Sequence, residues 1–305
     1  MKKIYVVITM DCERPRTETR ESATGPQNWD ESHEFIIAYV KHAQGYDYPV
    51  SFFLHPEVAI AHSDLLLKLE KEGCFIDGLH IHPWKFGDGK YKAHFGGMDR
   101  TEQIAIISEA SAIYQSGLKR RPKYFRPGTF SANDYTISVL EDLGFRGGSL
   151  SVPGRVYLDI NAVWTGCPVD PHRTNRIFRM VEGDMNFANM PLTCDLSNLE
   201  EINGRFFYRD LRPDYQDANY HKIASNIVDQ LLQRNPAVPV INMVTHNDNN
   251  YTDPENRVCK NFVTVLNEIT NACRKAGVKP VGTTFDKICD LVLEMPYKAK
   301  DFAFV

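Results

Sequence analysis

The chain has 305 residues, 43% of them hydrophobic and 24% charged, with a formal net charge of -4 at pH 7. That length and mixture suit one large α/β domain or two small ones, with a core that needs no covalent staples. A modest negative charge, without a long basic run or an aromatic-and-basic stripe, argues against nucleic acid as a partner.

The first ten residues, Met1 to Met10, carry two lysines and a short apolar run, but Asp11, Glu13 and Arg14 follow at once. The run is too short for a secretory signal and lacks a small-residue cleavage site, so it reads as a buried first strand over 4–10. No apolar stretch approaches the roughly 20 residues that cross a bilayer. Seven scattered cysteines, odd in number and without a C-x-x-C pair, point to free thiols in a reducing compartment. The expected location is the cytoplasm.

From residue 4 onward, short β-branched or aromatic runs alternate with amphipathic stretches. Strands are expected at 4–10, 50–54, 74–79, 124–126, 146–150, 177–181, 240–245 and 279–282. Helices are expected at 31–44, 63–72, 101–117, 132–143, 218–234, 255–276 and 284–293, several opened by Ser, Thr or Asp. Gly45, Gly73, Gly117, Gly144 and Gly277 fall where helix C-termini should lie. Alternation on this scale favours a closed or nearly closed (β/α) barrel, and the pattern alone leaves an open doubly wound sheet standing. Two stretches break the alternation, 13–30 and 153–217, and loops of that length inside a compact domain are lids or insertions. The expected organisation is one barrel domain over 1–295 with an irregular insertion at about 153–217, then a tail over 296–305.

The chemistry-bearing residues cluster just after expected strands: Asp11 and Glu13 after the first, His80 and His82 after the third, Arg126 at the fourth, His246 after the seventh. In a parallel barrel these ends open on one face, where active sites are built. Asp11-Cys12-Glu13 places two carboxylates at i and i+2, on one side of an extended backbone, able to divide general-base and metal-ligand roles. Alone, an acidic pair there also fits a simple loop cap. The run Gly78-Leu79-His80-Ile81-His82-Pro83-Trp84 presents two imidazoles to one side, a common way to hold a borderline divalent ion such as Zn²⁺, or else two histidines bonded in a polar loop. Arg126, before the Pro127-Gly128 turn, could hold an ionised Asp11 in place and keep its pKa low, although taken alone the motif fits a surface salt bridge beside a turn better. His246 has the chemistry of a general acid for a leaving amine; a lone histidine is more often structural, and its weight comes from falling at the same end as the others.

In order along the chain, these segments resemble the polysaccharide deacetylases of carbohydrate esterase family 4, the NodB-homology group. Thr9 to Glu13 resembles the first aspartate motif, Gly78 to Trp84 the histidine motif, Phe125 to Phe130 the arginine-proline motif, and Val244-Thr245-His246 the last histidine motif. Ser51 to Leu54 and Val281 to Phe285 resemble the second and closing strands. The resemblance implies a distorted (β/α)7-8 barrel with Asp11 as catalytic base, Arg126 orienting it, His80 as a metal ligand and His246 as general acid. Two departures stand out. Cys12 occupies the usual position of the metal-binding aspartate, which makes Glu13 the substitute ligand by analogy with D-x-D and D-x-E members. Trp84 stands where a second histidine is usual, which leaves that part to His82.

The implied activity is hydrolysis of a carbon–nitrogen amide bond, removal of an N-acetyl group from a sugar or glycoconjugate, with a divalent metal ion, Zn²⁺ first among several, on Glu13, His80 and His82. The rival expectations are a metal-free amidohydrolase of the same fold and a catalytically inactive carbohydrate-binding barrel.

Overall fold

The computed structural model describes residues 2–18 and 24–297. Its strands in chain order are β1 (Lys3–Cys12), β2 (Val50–Leu54), β3 (Phe75–Ile81), β4 (Tyr124–Pro127), β5 (Gly147–Gly148), β6 (Val156–Tyr157), β7 (Ala162–Val163), β8 (His172–Arg173), β9 (Ala188–Asn189), β10 (Cys194–Ile202), β11 (Arg205–Asp210), β12 (Val240–His246) and β13 (Lys279–Gly282). The helices are α1 (Trp29–Gln44), α2 (Pro56–Ala61), α3 (Ser63–Lys71), α4 (Arg100–Leu118), α5 (Asp134–Asp142), α6 (Tyr220–Arg234), α7 (Arg257–Lys275) and α8 (Phe285–Glu294).

Side-chain parity along β1 organises the molecule. Ile4, Val6, Ile8, Met10 and Cys12 face the surrounding helices, while Val7 faces an inner cluster and Thr9 and Asp11 continue that inner row. A nine-stranded sheet curls around this row in the order β12-β1-β2-β3-β4-β5-β9-β8, with β13 also on β1. All its pairings are parallel except β8 with β9. Tyr5 and Val6 pair with β12 on one side, so β13 takes the other, below β2, which joins only from Ile8.

The sheet is a half-barrel, and its open side is bridged by isolated hydrogen bonds around Asn242 rather than by a further ladder. Thr193 N–H donates to the Asn242 carbonyl at 3.0 Å, and the Asn242 side-chain amide donates to the carbonyls of Met190 and Pro191 at 3.3 and 3.0 Å. Below the inner row, Val7, Phe53, Tyr124 and Val240 pack on Phe285, Ile288, Cys289 and Val292 of α8, an apolar plug that closes one end. Each such fully buried side chain contributes roughly 1.5–3 kcal/mol. The polar rows are therefore left for the other end.

Most expected elements lie within one to three residues of those observed, with three corrections. Residues 177–181 are not a strand: Asn175 Oδ1 accepts from Ile177 N and Phe178 N in an Asx turn, and Ile177 and Phe178 are exposed. The sheet position they were expected to fill is taken by β9. Gly117 is no helix end: a Cβ there would lie 2.2 Å from the Ala59 carbonyl oxygen, so it serves the close packing of α2 on α4, and the left-handed cap is Lys119. Gly45 is the C-cap of α1, at the helix end as expected, in right-handed backbone. The short α2 and the strands β6 to β8, β10 and β11 were not expected at all. Residues 298–305, most of the expected tail, lie outside the described residues, as do 19–23 of the first long loop. The seven cysteines are buried and free, and no helix among the described residues is long and apolar enough to cross a membrane.

Candidate active site

Asp11, one residue before the end of β1, is in register with His246 of β12, and His80 of β3 is in register with Arg126 of β4. A bulge sets the parity of β3. Ser51 pairs with Phe75 but Phe53 already pairs with Gly78, so one extra residue is absorbed and Gly78, His80 and His82 follow on the inner face. Gly78 fits because a Cβ there would meet the Phe53 ring at 2.8 Å and the Phe52 carbonyl oxygen at 2.4 Å.

Arg126 is fully buried, with its guanidinium over the Phe53 ring at 4.2 Å. Its NH1 donates to Asp11 Oδ1 at 2.6 Å and to Thr9 Oγ1 at 2.8 Å. Burial alone would raise the Asp11 carboxyl, but Arg126 first, then His80 and His246, outweigh it and hold the group below the ordinary carboxylate range. An ionised, oriented carboxylate thus sits at the base of the site.

Glu13 lies just past the strand, where Asn247 fixes its backbone: Glu13 N–H donates to Asn247 Oδ1 at 2.7 Å and Asn247 Nδ2 donates to the Glu13 carbonyl at 3.0 Å. Glu13 Oε1 stands 3.2 Å from His80 Nε2 and 2.9 Å from His82 Nε2. Donor atoms from these three buried residues all lie within 4.8 Å of one another. Donors bonded at about 2.0–2.1 Å to one tetrahedral ion are separated by roughly 3.3 Å, so the set fits a small divalent cation. His80 is oriented for it as well, since its Nδ1 donates to the Arg126 carbonyl at 3.0 Å and turns Nε2 towards Glu13. Burial pushes the His82 imidazole down to about 4, leaving it neutral. Cys12 cannot join, because it faces the helix side and burial pushes its thiol well up.

Lys85 was not expected from the sequence. Its Nζ donates to Glu13 Oε2 at 2.6 Å and to the Thr24 carbonyl at 2.5 Å, fully buried. It lies three residues past His82, in a turn where Lys85 N–H bonds back to the His82 carbonyl at 3.0 Å. The carboxylate therefore divides its oxygens, Oε1 towards the imidazoles and Oε2 on the ammonium. Burial would raise Glu13, but Lys85 and then His82 hold it well below its ordinary value.

The turn after β4 is shaped to admit His82. A Cβ on Gly128 would meet His82 Nδ1 at 2.4 Å, and the next two residues, Thr129 and Phe130, both adopt left-handed backbone at φ 58° and 57°. Such consecutive non-glycine residues are strained and are characteristic of functional turns.

A cleft of about 290 Å³ opens over these groups, lined by Asp11, His80, His82 and His246 from the strand ends and by Arg155, Tyr157, Arg205 and Arg212 from the 153–217 segment. That segment forms a small antiparallel sheet, β10-β11-β6-β7. Its hairpin turns at Asn203-Gly204, both with positive φ, a two-residue signal present in the sequence but flanked by strands too exposed to show alternation. A more open groove of about 650 Å³ continues along the hairpin and shares Tyr157 and Arg205 with the cleft. All six residues expected at the site, Asp11, Glu13, His80, His82, Arg126 and His246, gather within or directly beneath this cleft. His55, which follows β2, bonds Glu57 and does not line it.

No protein-family model matches the chain, and no curated protein matches it by sequence. Solved structures do resemble it. A Mycobacterium smegmatis protein described as a polysaccharide deacetylase has 13% identity and a TM-score of 0.56, over 95% of this chain and 90% of that one. A Pseudomonas aeruginosa PAO1 protein of the same description has 12% identity and a TM-score of 0.55, over 97% and 93%. Puue allantoinase has 13% identity and a TM-score of 0.59, over 97% and 92%. Over nearly its whole length the chain has the NodB-type polysaccharide deacetylase fold.

Proposed function

We propose that this protein hydrolyses a carbon–nitrogen amide bond, removing the acetyl group from an N-acetylated sugar or glycoconjugate. The supporting observation is the convergence of an Arg126-held Asp11, the Glu13–His80–His82 donor set and His246 on one cleft. Glu13, His80 and His82 would hold a divalent ion, zinc being the best match to two imidazoles and a carboxylate, which when bound supplies Lewis acidity to the acyl carbonyl and acidity to water. Asp11, kept ionised, takes a proton from the attacking water as its oxygen adds to the carbonyl carbon. Backbone amides of the strained turn at 128–130, where Thr129 and Phe130 line the cleft, would donate to the developing oxyanion, each such donor contributing on the order of 3 kcal/mol. His246 gives its proton to the nitrogen as the carbon–nitrogen bond breaks, yielding carboxylate and free amine. The groove along the hairpin gives room for the rest of a conjugate.

One observation favours a second reading, a metal-free amidohydrolase. The Lys85 ammonium already neutralises Glu13, so a dication would enter a donor set with no net negative charge, and an allantoinase shares the fold. Acetate release from a panel of N-acetylated sugars, with and without a chelator, separates the readings. Release abolished by chelator and restored by Zn²⁺ supports the metal hydrolase; release insensitive to chelator supports the second. Sugar binding without any release would leave an inactive carbohydrate-binding barrel.

A further inference from the structure

Five cationic side chains lie in or just under the cleft, and four have carboxylate partners. Arg126 is on Asp11 at 2.6 Å, Lys85 on Glu13 at 2.6 Å and Arg212 on Asp210 at 2.7 Å, while Arg205 bonds Asp159. Arg155 is the exception. It is only 5% exposed, yet among the described residues no carboxylate lies within 4.0 Å of it; its side chain makes one hydrogen bond among them, from NH1 to the Thr129 carbonyl at 3.1 Å, and its Nε is buried without a partner. Its flat guanidinium is held by rings, over Tyr157 at 4.8 Å and Phe130 at 5.2 Å. Phe130 also carries Arg126 at 5.6 Å, so the lone guanidinium shares one ring with the arginine that grips the proposed base.

A buried guanidinium without a paired counter-charge is costly, and here burial and then the neighbouring Arg212 disfavour its charge, opposed only in part by Asp210, which is already bonded to Arg212. Arginine nonetheless stays protonated and presents a planar fork suited to carboxylate or phosphate. The missing charge is then one that arrives with the ligand.

We propose that Arg155 receives an anionic group, carboxylate or phosphate, carried by the substrate itself, so that the preferred substrate is an acidic N-acylated sugar rather than a neutral one. This rests on the hydrolase reading for the word substrate, but the binding claim is tested separately. Calorimetric titration of the full chain carrying Asp11→Asn, which suppresses turnover, would compare N-acetylglucosamine with its 6-phosphate and with N-acetylmuramic acid, which place a phosphate and a carboxylate on the same ring. A charge-assisted contact worth about 1.5–3 kcal/mol predicts at least one acidic probe bound roughly tenfold to a hundredfold more tightly than the neutral sugar. Adding Arg155→Met should collapse that ratio towards one, and Arg155→Lys, which keeps charge but loses the fork, should leave an intermediate ratio. Equal affinity for all three probes, or a ratio unmoved by Arg155→Met, overturns the proposal; if Arg155→Met does not fold, the starting ratio and Arg155→Lys decide it. Acetate release by the wild-type chain from the same probes distinguishes the two claims. Charge-selective binding with no release sinks the hydrolase reading alone, whereas release with no charge selectivity sinks the role of Arg155 alone.

Discussion

The two halves of the cleft are built by different means. Its floor is made of strand ends, where alternation along β1, β3, β4 and β12 dictates which side chains look inward, and where Asp11, Arg126 and Glu13 are buried and held by short hydrogen bonds. Its roof belongs to the 153–217 segment, with two-residue strands, an exposed hairpin and arginines stacked on aromatic rings. The floor fixes reacting groups to within a hydrogen bond, as bond-breaking requires. The roof offers charge and flat surface, features that select what is bound.

If that division is right, substitutions in the floor should cost most. Asp11→Asn should lower the turnover number about 10²- to 10⁴-fold, the usual worth of a positioned base, with acetate release as the assay; unchanged turnover would remove Asp11 from the chemistry. Arg126→Met leaves Asp11 charged and buried without a partner, so unfolding in urea should show a loss of about 3–5 kcal/mol. Combining the two substitutions should recover part of that loss, because the orphaned charge is gone.

Gly128→Ala should act through His82 alone, pushing its ring from the donor set. The expected result is a roughly tenfold to hundredfold weaker hold on Zn²⁺ in competition with a chromogenic chelator, with the helical circular dichroism signal unchanged. Smaller again is the acid limb of stability set by Glu57, beside the floor. Burial would raise its carboxyl, but the bond and charge of His55, with Arg14 also contributing, hold it at about 2, against an ordinary 4.5. A depressed carboxylate stabilises the fold above its unfolded value, so the stability gap between wild type and Glu57→Gln should be constant above about pH 5 and close as pH falls from 4.5 to 2. Least of all should be Leu199→Lys with Ile202→Lys in the hairpin, where both side chains are about half exposed; stability should stay within about 0.5 kcal/mol. A large loss there would mean that the roof is part of the core.

The same division explains what the sequence revealed. Strands that bury both faces leave long apolar runs, and residues following them inherit a common end, so Asp11, His80, Arg126 and His246 could be placed together before any coordinates. His82 could be joined to them from its two-residue spacing to His80, although the bulge in β3 that turns both rings inward is one that no apolar pattern announces. Lys85 was hidden because its partner is 72 residues away in sequence and only the turn after Pro83 returns it to Glu13. In the roof the apolar residues mislead: Ile177 and Phe178 look like a strand but are exposed, while β10, rich in Asp, Asn and Glu, is a strand that looks like polar loop. Arg155, Arg205 and Arg212 are ordinary surface residues by composition, and only their stacking and convergence set them apart.

The central place of β1 also shapes how the chain is made. Thr9 bonds to Met243, 234 residues later, so at 5–20 residues per second the first strand emerges on the order of ten to fifty seconds before the strand that flanks it. Over that interval KIYVVITMDC is an apolar ribbon with an unfilled edge on the nascent chain, a natural target for a chaperone and for misassociation with neighbouring copies. A strand enclosed on both edges in the finished protein is thus a vulnerable piece of the unfinished one.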